Sequence, residues 1–238
     1  MTRKIIIGQL FPKQLNIYGD QGNIVTLQKR LAWRGITSDV IEIGSLTSSI
    51  SDIDLIVGGG GQDSGQIDVS KMIPRMGAEF RTAAQDGLPM LVICGSFQLF
   101  GNWFVTNQQE KLEGIGIFDC ATTGGDKRNI GNITVETKFG TITGFENHSG
   151  QTDLQAGQQP FGRTKKLYGN NLEDTTEGAI TKNVIGSYLH GPLLPRNPAV
   201  ADFLLQTALD RKYPNTDFLP IDDSIENELH RQSVELSR

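Results

Sequence analysis

Cys94 closes the apolar run Leu88-Pro89-Met90-Leu91-Val92-Ile93 and is followed at once by Gly95-Ser96-Phe97-Gln98-Leu99-Phe100-Gly101. The run reads as a buried strand, the Gly-Ser step as a sharp turn, and Phe97 onward as the start of a helix. A thiol on such an elbow stands above the sheet beside free N–H groups of a helix end, which also favour the nucleophilic thiolate. Alone, a free cysteine before a turn is more often a small buried hydrophobe. Suitable partners elsewhere in the chain change that balance. The base must come from three histidines, His148, His190 and His230. His190 ends the apolar run Val184-Ile185-Gly186-Ser187-Tyr188-Leu189 and precedes Gly191-Pro192, a strand delivering a histidine to a loop. Strand ends are where α/β sheets place their sites. His230 lies in a polar segment with the look of an exposed helix. His148, in Glu146-Asn147-His148-Ser149-Gly150, follows hairpin-like strands over 131–142 and reads as a turn residue bonded to nearby backbone.

A third element supplies what acyl chemistry needs besides a nucleophile and a base. Gly58-Gly59-Gly60-Gly61-Gln62-Asp63 follows the short apolar strand Asp54-Leu55-Ile56-Val57. Glycines at a strand end expose backbone N–H groups with no side chain in the way. No glycine of this chain is followed by lysine, which excludes a Walker-type phosphate loop. The first strand leads to Gln9-Leu10-Phe11-Pro12 rather than to a dinucleotide fingerprint. An oxyanion hole fits better, with one N–H from Gly95 and one from the glycine loop, expected at Gly60.

Elements that could position these groups alternate along the chain. A strand is predicted over Lys4–Gly8, a helix over Asn23–Arg34, strands over Asp39–Ile43 and Asp54–Val57, and a helix over Pro74–Gln85. The Cys94 strand and elbow follow. Leu112–Ile142 is glycine-rich and β-leaning, an expected antiparallel extension. Val184 opens a strand that returns to the main sheet, and Asn197–Lys212 is a final helix. The rhythm implies an α/β fold with a mostly parallel central sheet covered by helices on both faces. Residues 1–212 read as one domain and 213–238 as a polar, helical tail packed on the domain or on a partner.

Composition sets the remaining bounds. The 238 residues carry a net charge of −5, spread along the sequence, which does not indicate nucleic-acid binding. Two cysteines, Cys94 and Cys120, give neither a disulfide framework nor metal-ligand spacing and suit a reducing cytoplasm. The basic N-terminus carries an apolar run too short for a secretion signal, and no segment approaches the ~18 apolar residues of a membrane span.

Three blocks, Val57-Gly58-Gly59-Gly60-Gly61, Ile93-Cys94-Gly95-Ser96-Phe97-Gln98 and Gly186-Ser187-Tyr188-Leu189-His190-Gly191, resemble the class I (triad) glutamine amidotransferases, with their flavodoxin-like fold. Gly144-Phe145-Glu146-Asn147-His148-Ser149-Gly150 is similar to a block of the cobyric-acid-synthase-like branch. Asn16-Ile17-Tyr18-Gly19-Asp20-Gln21-Gly22-Asn23 and the glycine loop look like the glutaminase subunits of lipid II isoglutaminyl synthases within it. The resemblance implies that Cys94 attacks the amide carbon of L-glutamine, His190 serves as base and acid, and the ammonia passes to a Mur-ligase-like synthetase subunit (MurT) in a heterodimer. That subunit would hold ATP and Mg and amidate D-glutamate of lipid II to D-isoglutamine, a step of peptidoglycan synthesis. No cofactor or metal is expected in this chain. The α-carboxylate of glutamine wants a guanidinium fork, which Arg128 in Gly124-Gly125-Asp126-Lys127-Arg128-Asn129 offers, and Gln98 is placed to contact the same substrate.

Two departures stand out. Ser96 occupies a position that is glycine in familiar members. Two residues after His190, where many members carry a glutamate, this chain has Pro192. The third member of a triad is therefore expected from a distant acid such as Glu146 or from the partner. The alternatives are a cobalamin-pathway amidotransferase and a stand-alone cysteine hydrolase.

Overall fold

The structure, a computed structural model, describes residues 3–17, 19–44 and 49–237. The first half is strand–helix alternation. It runs through β1 (Lys4–Leu10), α1 (Gln21–Trp33), β2 (Thr37–Ile43), β3 (Leu55–Gly58), α2 (Asp63–Ser70), α3 (Ile73–Gln85), β4 (Met90–Ile93) and α4 (Gly95–Phe100). A β-rich stretch follows, with β5 (Trp103–Val105), β6 (Lys111–Glu113), β7 (Cys120–Thr137), β8 (Gly140–Leu154), β9 (Gly162–Thr164), β10 (Thr176–Glu177), β11 (Ala179–Thr181), β12 (Val184–Ser187) and β13 (Leu189–His190). Two helices end the chain, α5 (Pro198–Lys212) and α6 (Ser224–Glu235).

Among the described residues six strands form the central sheet in the order β11-β12-β4-β3-β1-β2, parallel except for the edge strand β11. β3 and β4 are buried at every position, so both faces of the sheet are covered, as continuous apolar runs require. The covering helices are amphipathic. α1 buries Ile24, Leu27 and Leu31, and α3 buries Ile73, Met76, Phe80 and Ala84, both at helical spacing. Parallel strands end at one edge, and Gly58, Ile93 and Ser187 all lie at that edge, just before the glycine loop, Cys94 and His190.

The second sheet is built on the β7–β8 hairpin, with β5, β9 and β13 added to it. This hairpin is longer than the glycine-rich sequence suggests. It continues to Leu154, with a register shift between Gly124 and Asn129. α2 was not anticipated at all, because glycines at 61 and 65 flank and interrupt a short polar segment. The elbow helix begins at Gly95, two residues before the expected Phe97. The main chain leaves the central sheet at Ser187 and joins the second sheet at Leu189, where Leu189 pairs with Glu146 and His190 with Phe145.

The tail is tied down by a buried cation. Arg30, on α1, donates from Nε to Asp202 at 2.7 Å and from Nη1 and Nη2 to Asp223 at 2.6 and 2.9 Å. Burial works against its charge, and the two carboxylates outweigh it, holding the pKa above the ordinary arginine range. Arg34 bonds Asp202 and the Leu219 carbonyl and stacks on Phe218. α6 then lies against the body through His230 Nδ1, 2.8 Å from the Arg196 carbonyl, and just beyond it Ser237 Oγ lies 3.3 Å from Thr143 Oγ1. No described helix is long and apolar enough to cross a membrane.

Candidate active site

Cys94 sits at φ 51°, ψ −106°, in the positive-φ region that costs a non-glycine residue about 1–3 kcal/mol. The surroundings enforce it. Its N–H donates to the Ser187 carbonyl at 2.8 Å, and its own carbonyl accepts from Gln98 N at 2.9 Å, so strand and helix grip it from both sides. The residue is 6 % exposed and lines a cavity of about 320 Å³. Ser96 does not loosen the turn. Its hydroxyl donates to the Gly59 carbonyl at 2.5 Å, and Gly58 is a position where a Cβ would stand 2.6 Å from that hydroxyl. The serine ties the elbow to the glycine loop.

His190 is fully buried and lies close enough to Cys94 for the sulfur to act on its imidazole. Its Nδ1 lies 3.1 and 3.2 Å from the two carboxylate oxygens of Asp20. A distant acid of this chain, 170 residues upstream, thus stands where a third member would; it is Asp20, not the expected Glu146 or an acid of a partner. Asp20 stands at the N-cap of α1 yet makes no side-chain cap bond, because its carboxylate is turned to His190. Pro192 contributes by packing. Gly22, two residues beyond Asp20, has no room for a Cβ because the Pro192 ring fills the space, and Leu194 N bonds Asn23 Oδ1 at 2.9 Å. The loop after His190 is thereby fastened to the helix that carries the acid. Burial lowers the imidazole pKa, but the Cys94 sulfur and Asp20 outweigh it and raise it well above its ordinary value. That direction favours the imidazolium form of His190. Glu146 is elsewhere, accepting from Gly169 N at 3.0 Å and lying 3.9 Å from His148 Nε2.

The glycine loop reaches the nucleophile as expected, with one change of residue. A Cβ on Gly60 would stand 2.7 Å from His190 Cε1 and 3.3 Å from Cys94 Cβ, so only glycine fits. The Gly60 N–H, however, donates to Asp20 Oδ2 at 2.7 Å and is not open to an oxyanion. The next N–H is Gly61's. It lies 3.0 Å from where a Cβ of Gly95 would be. Gly61 N thus lies against the Gly95 backbone beside Cys94, and the Gly60 N–H expected for an oxyanion is the one already taken.

Around the cavity stand Gln66, Gln98, Phe104, Arg128, Asn147 and His148. Arg128 is held by Asn147, with Nε 2.6 Å from Oδ1 and Nη2 3.3 Å from the carbonyl, which occupies two of its five donors. Gln98 is 5 % exposed. Its Oε1 accepts from Gln66 Nε2 at 2.5 Å and its Nε2 donates to the Tyr188 hydroxyl at 3.1 Å. Sequence reasoning missed Gln66, because α2 itself was invisible there. His148 reaches the cavity but not as a turn residue. It sits within β8, stacks on Tyr188 at 3.7 Å, and donates from Nδ1 to the Gly150 carbonyl at 2.8 Å. Burial drives its pKa down to about 3, so it is neutral. Cys120 is buried away from the cavity lining, and burial followed by Asp119 pushes its thiol up to about 12.

The chain as a whole has relatives among known proteins. A CobB/CobQ-like glutamine amidotransferase domain matches residues 6–198. The chain is 37 % identical over 237 residues to the lipid II isoglutaminyl synthase (glutamine-hydrolyzing) subunit GatD of Staphylococcus aureus, covering 99 % of this chain and 96 % of that one. The Streptococcus pneumoniae subunit of the same name is 36 % identical, over 92 % and 86 %. A Listeria monocytogenes cobyric acid synthase matches at 33 % over 45 % of this chain and 22 % of its own length. Among solved structures, a glutamine amidotransferase superposes with a TM-score of 0.60 at 17 % identity, over 85 % of this chain and 98 % of that one, which shows the shared fold. This chain belongs to the CobB/CobQ-like glutamine amidotransferases.

Proposed function

We propose that the chain is the glutaminase half of a two-subunit synthetase, and that Cys94, His190 and Asp20 carry the hydrolysis. The Cys94 thiolate attacks the side-chain amide carbon of glutamine. The Gly61 and Gly95 N–H groups receive the oxyanion, and His190 gives its proton to the leaving ammonia. A water molecule, deprotonated by His190, then cleaves the thioester to glutamate. Asp20 keeps the proton of the neutral imidazole on Nδ1, so that Nε2 faces the sulfur. Arg128 takes the α-carboxylate, and Gln98, fixed by Gln66 and Tyr188, shapes the wall beside it. The observation that carries the reading is the alignment of His190 and Asp20 behind Cys94, which itself lines the cavity.

The ammonia needs an acceptor, and the sequence carries no Walker-type phosphate loop. The names of two relatives, glutamine-hydrolyzing subunits of lipid II isoglutaminyl synthases, support a synthetase partner that takes the ammonia to lipid II; the resemblance read in the sequence makes that partner Mur-ligase-like, with its own ATP and Mg, acting on D-glutamate. The cobyric acid synthase likeness covers too little of those proteins to favour their reaction. The test is an amidation assay on the complex with either nitrogen source. Cys94→Ser and His190→Ala should abolish glutamine-dependent amidation and leave the ammonium-dependent reaction. The double variant should be no worse than either single one, since the pair acts as a unit. Near-normal glutamine hydrolysis by Cys94→Ser would refute the assignment.

A further inference from the structure

His190 arrives at Cys94 by an unusual route. β12 belongs to the central sheet and β13 to the second sheet, with Tyr188 alone between them. A backbone leaving a ladder strands its N–H groups, and a buried N–H without an acceptor costs about 1–3 kcal/mol. One side chain fills the gap. Glu177 Oε1 accepts from Tyr188 N at 2.7 Å and from Ser187 Oγ at 3.0 Å. Ser187 Oγ in turn accepts from Leu189 N at 3.0 Å. The carboxyl group therefore holds, directly or through one hydroxyl, the two N–H groups immediately before His190.

We propose that Glu177 is the positioning residue for His190, its carboxyl standing in for the strand partner that the chain loses at Ser187 and fixing the corner that brings the imidazole to Cys94. The mount of Glu177 is itself rigid. Asn170 bonds both flanks, donating from Nδ2 to Thr176 Oγ1 at 3.1 Å and to the Gly178 carbonyl at 2.9 Å, and accepting from Gly178 N at 2.7 Å. The side chain is wholly buried and its Oε2 has no hydrogen-bond partner. A group with no solvent, no cation partner and one idle oxygen is poorly explained as a stabilising ion. It is well explained as an acceptor at a break in the ladder. Burial pushes its carboxyl up to about 7, against the pull of the Tyr188 N–H and the Ser187 hydroxyl. The acceptor geometry, not a full charge, does the holding.

The inference rests on His190 acting on Cys94, and its test separates the two. Three variants of the full chain are compared: Glu177→Ala, Glu177→Gln and Ser187→Ala. The readouts are glutaminase kcat and KM per folded molecule, and the pH profile of Cys94 alkylation by iodoacetamide. Cys120 stays silent there because its thiol is buried and hard to ionise. Displacing a catalytic group by a fraction of an ångström to an ångström costs up to about 100-fold. Glu177→Ala should therefore lower kcat about 10- to 100-fold with KM unchanged, and move the alkylation profile to higher pH as the thiolate loses its imidazolium. Glu177→Gln keeps an oxygen for Tyr188 N and should stay within about threefold of wild type, by the same geometric argument. Ser187→Ala, which cuts only the link to Leu189, should fall between. Unchanged kcat and alkylation in Glu177→Ala, or equal losses in Ala and Gln, would overturn the proposal. If Glu177→Ala does not fold, unchanged kinetics in Ser187→Ala would overturn it. If wild type hydrolyses no glutamine, the functional reading fails, while the alkylation profiles still decide the role of Glu177.

Discussion

Replacing Asp20 by Asn tests the catalytic geometry with almost no change of shape. Asp20 receives two donors, Gly60 N at 2.7 Å and His190 Nδ1 at 3.1 Å. An asparagine has one oxygen. If that oxygen stays with Gly60 N it keeps the Oδ2 place, and the amide NH2 takes the Oδ1 place, 3.2 Å from His190 Nδ1, where its hydrogens favour a lone pair on Nδ1 and the proton on Nε2. The nitrogen facing Cys94 then cannot accept the thiol proton. In triads of this logic the wrong tautomer costs about 10⁴ in kcat, and a loss of about 10³–10⁴ is expected here. KM should hardly move, because Asp20 does not line the cavity. Thermal stability should be close to wild type, since the Gly60 bond survives. Asp20→Ala adds a different defect: it leaves the buried Gly60 N–H without an acceptor, at about 1–3 kcal/mol, and should loosen the glycine loop. The assay is glutamate release followed by a coupled dehydrogenase, with melting curves on the same preparations. Asp20→Asn within a few-fold of wild type would refute the triad described above. Because the acid belongs to this chain, the isolated subunit should hydrolyse glutamine without its partner. An activity that appears only on adding the partner would contradict the assignment of Asp20.

Further outcomes follow from neighbouring residues. Arg128→Ala should raise KM for glutamine strongly with little change in melting temperature, and Arg128→Lys should rescue poorly because a point charge cannot replace a fork; unchanged steady-state kinetics would remove Arg128 from the site. Gly95→Ala places a methyl 3.0 Å from Gly61 N and should lower kcat about 10²–10³-fold by blocking the oxyanion site, whereas normal turnover would place that site elsewhere. His148 is buried neutral with its pKa driven from 6.5 to about 3. An unfolded chain takes up that proton first, so stability should fall as pH drops from 6.5 toward 3. His148→Phe, which keeps the stack on Tyr188, should flatten this part of a urea-midpoint profile; an unchanged slope would show that His148 contributes nothing to acid sensitivity.

The sequence was informative where function depends on local order. Cys94 and His190 each end an apolar run and precede a glycine, and a strand that stops at a reactive side chain can be read directly. The mostly parallel sheet follows from the same alternation of apolar runs and helical periods. Asp20 was not legible as the acid, because it lies in the turn ahead of the predicted helix and nothing local ties it to a histidine so far along the chain. Only the structure shows that the cap bond is missing and the carboxylate faces a histidine 170 residues away. Gly60 was the natural oxyanion donor by its place in the loop. Which of four adjacent glycines has its N–H free depends on a hydrogen bond to Asp20 that no local pattern encodes. α2 and with it Gln66 were hidden by glycines at 61 and 65 and by a weakly amphipathic stretch. The strand switch at Tyr188 was hidden because an unbroken apolar run gives no sign that its two halves join different sheets.

The central claim is that Cys94 forms the covalent bond to the glutamine carbon skeleton with His190 and Asp20 behind it. Mass mapping after treatment with the diazo-ketone analogue of glutamine, 6-diazo-5-oxo-L-norleucine, tests it most directly. A single adduct on Cys94 is predicted, competed away by L-glutamine, and formed far more slowly in Asp20→Asn and His190→Ala. Inactivation with the adduct on another residue, or labelling of Cys94 that glutamine does not protect and that Asp20→Asn does not slow, would contradict the account.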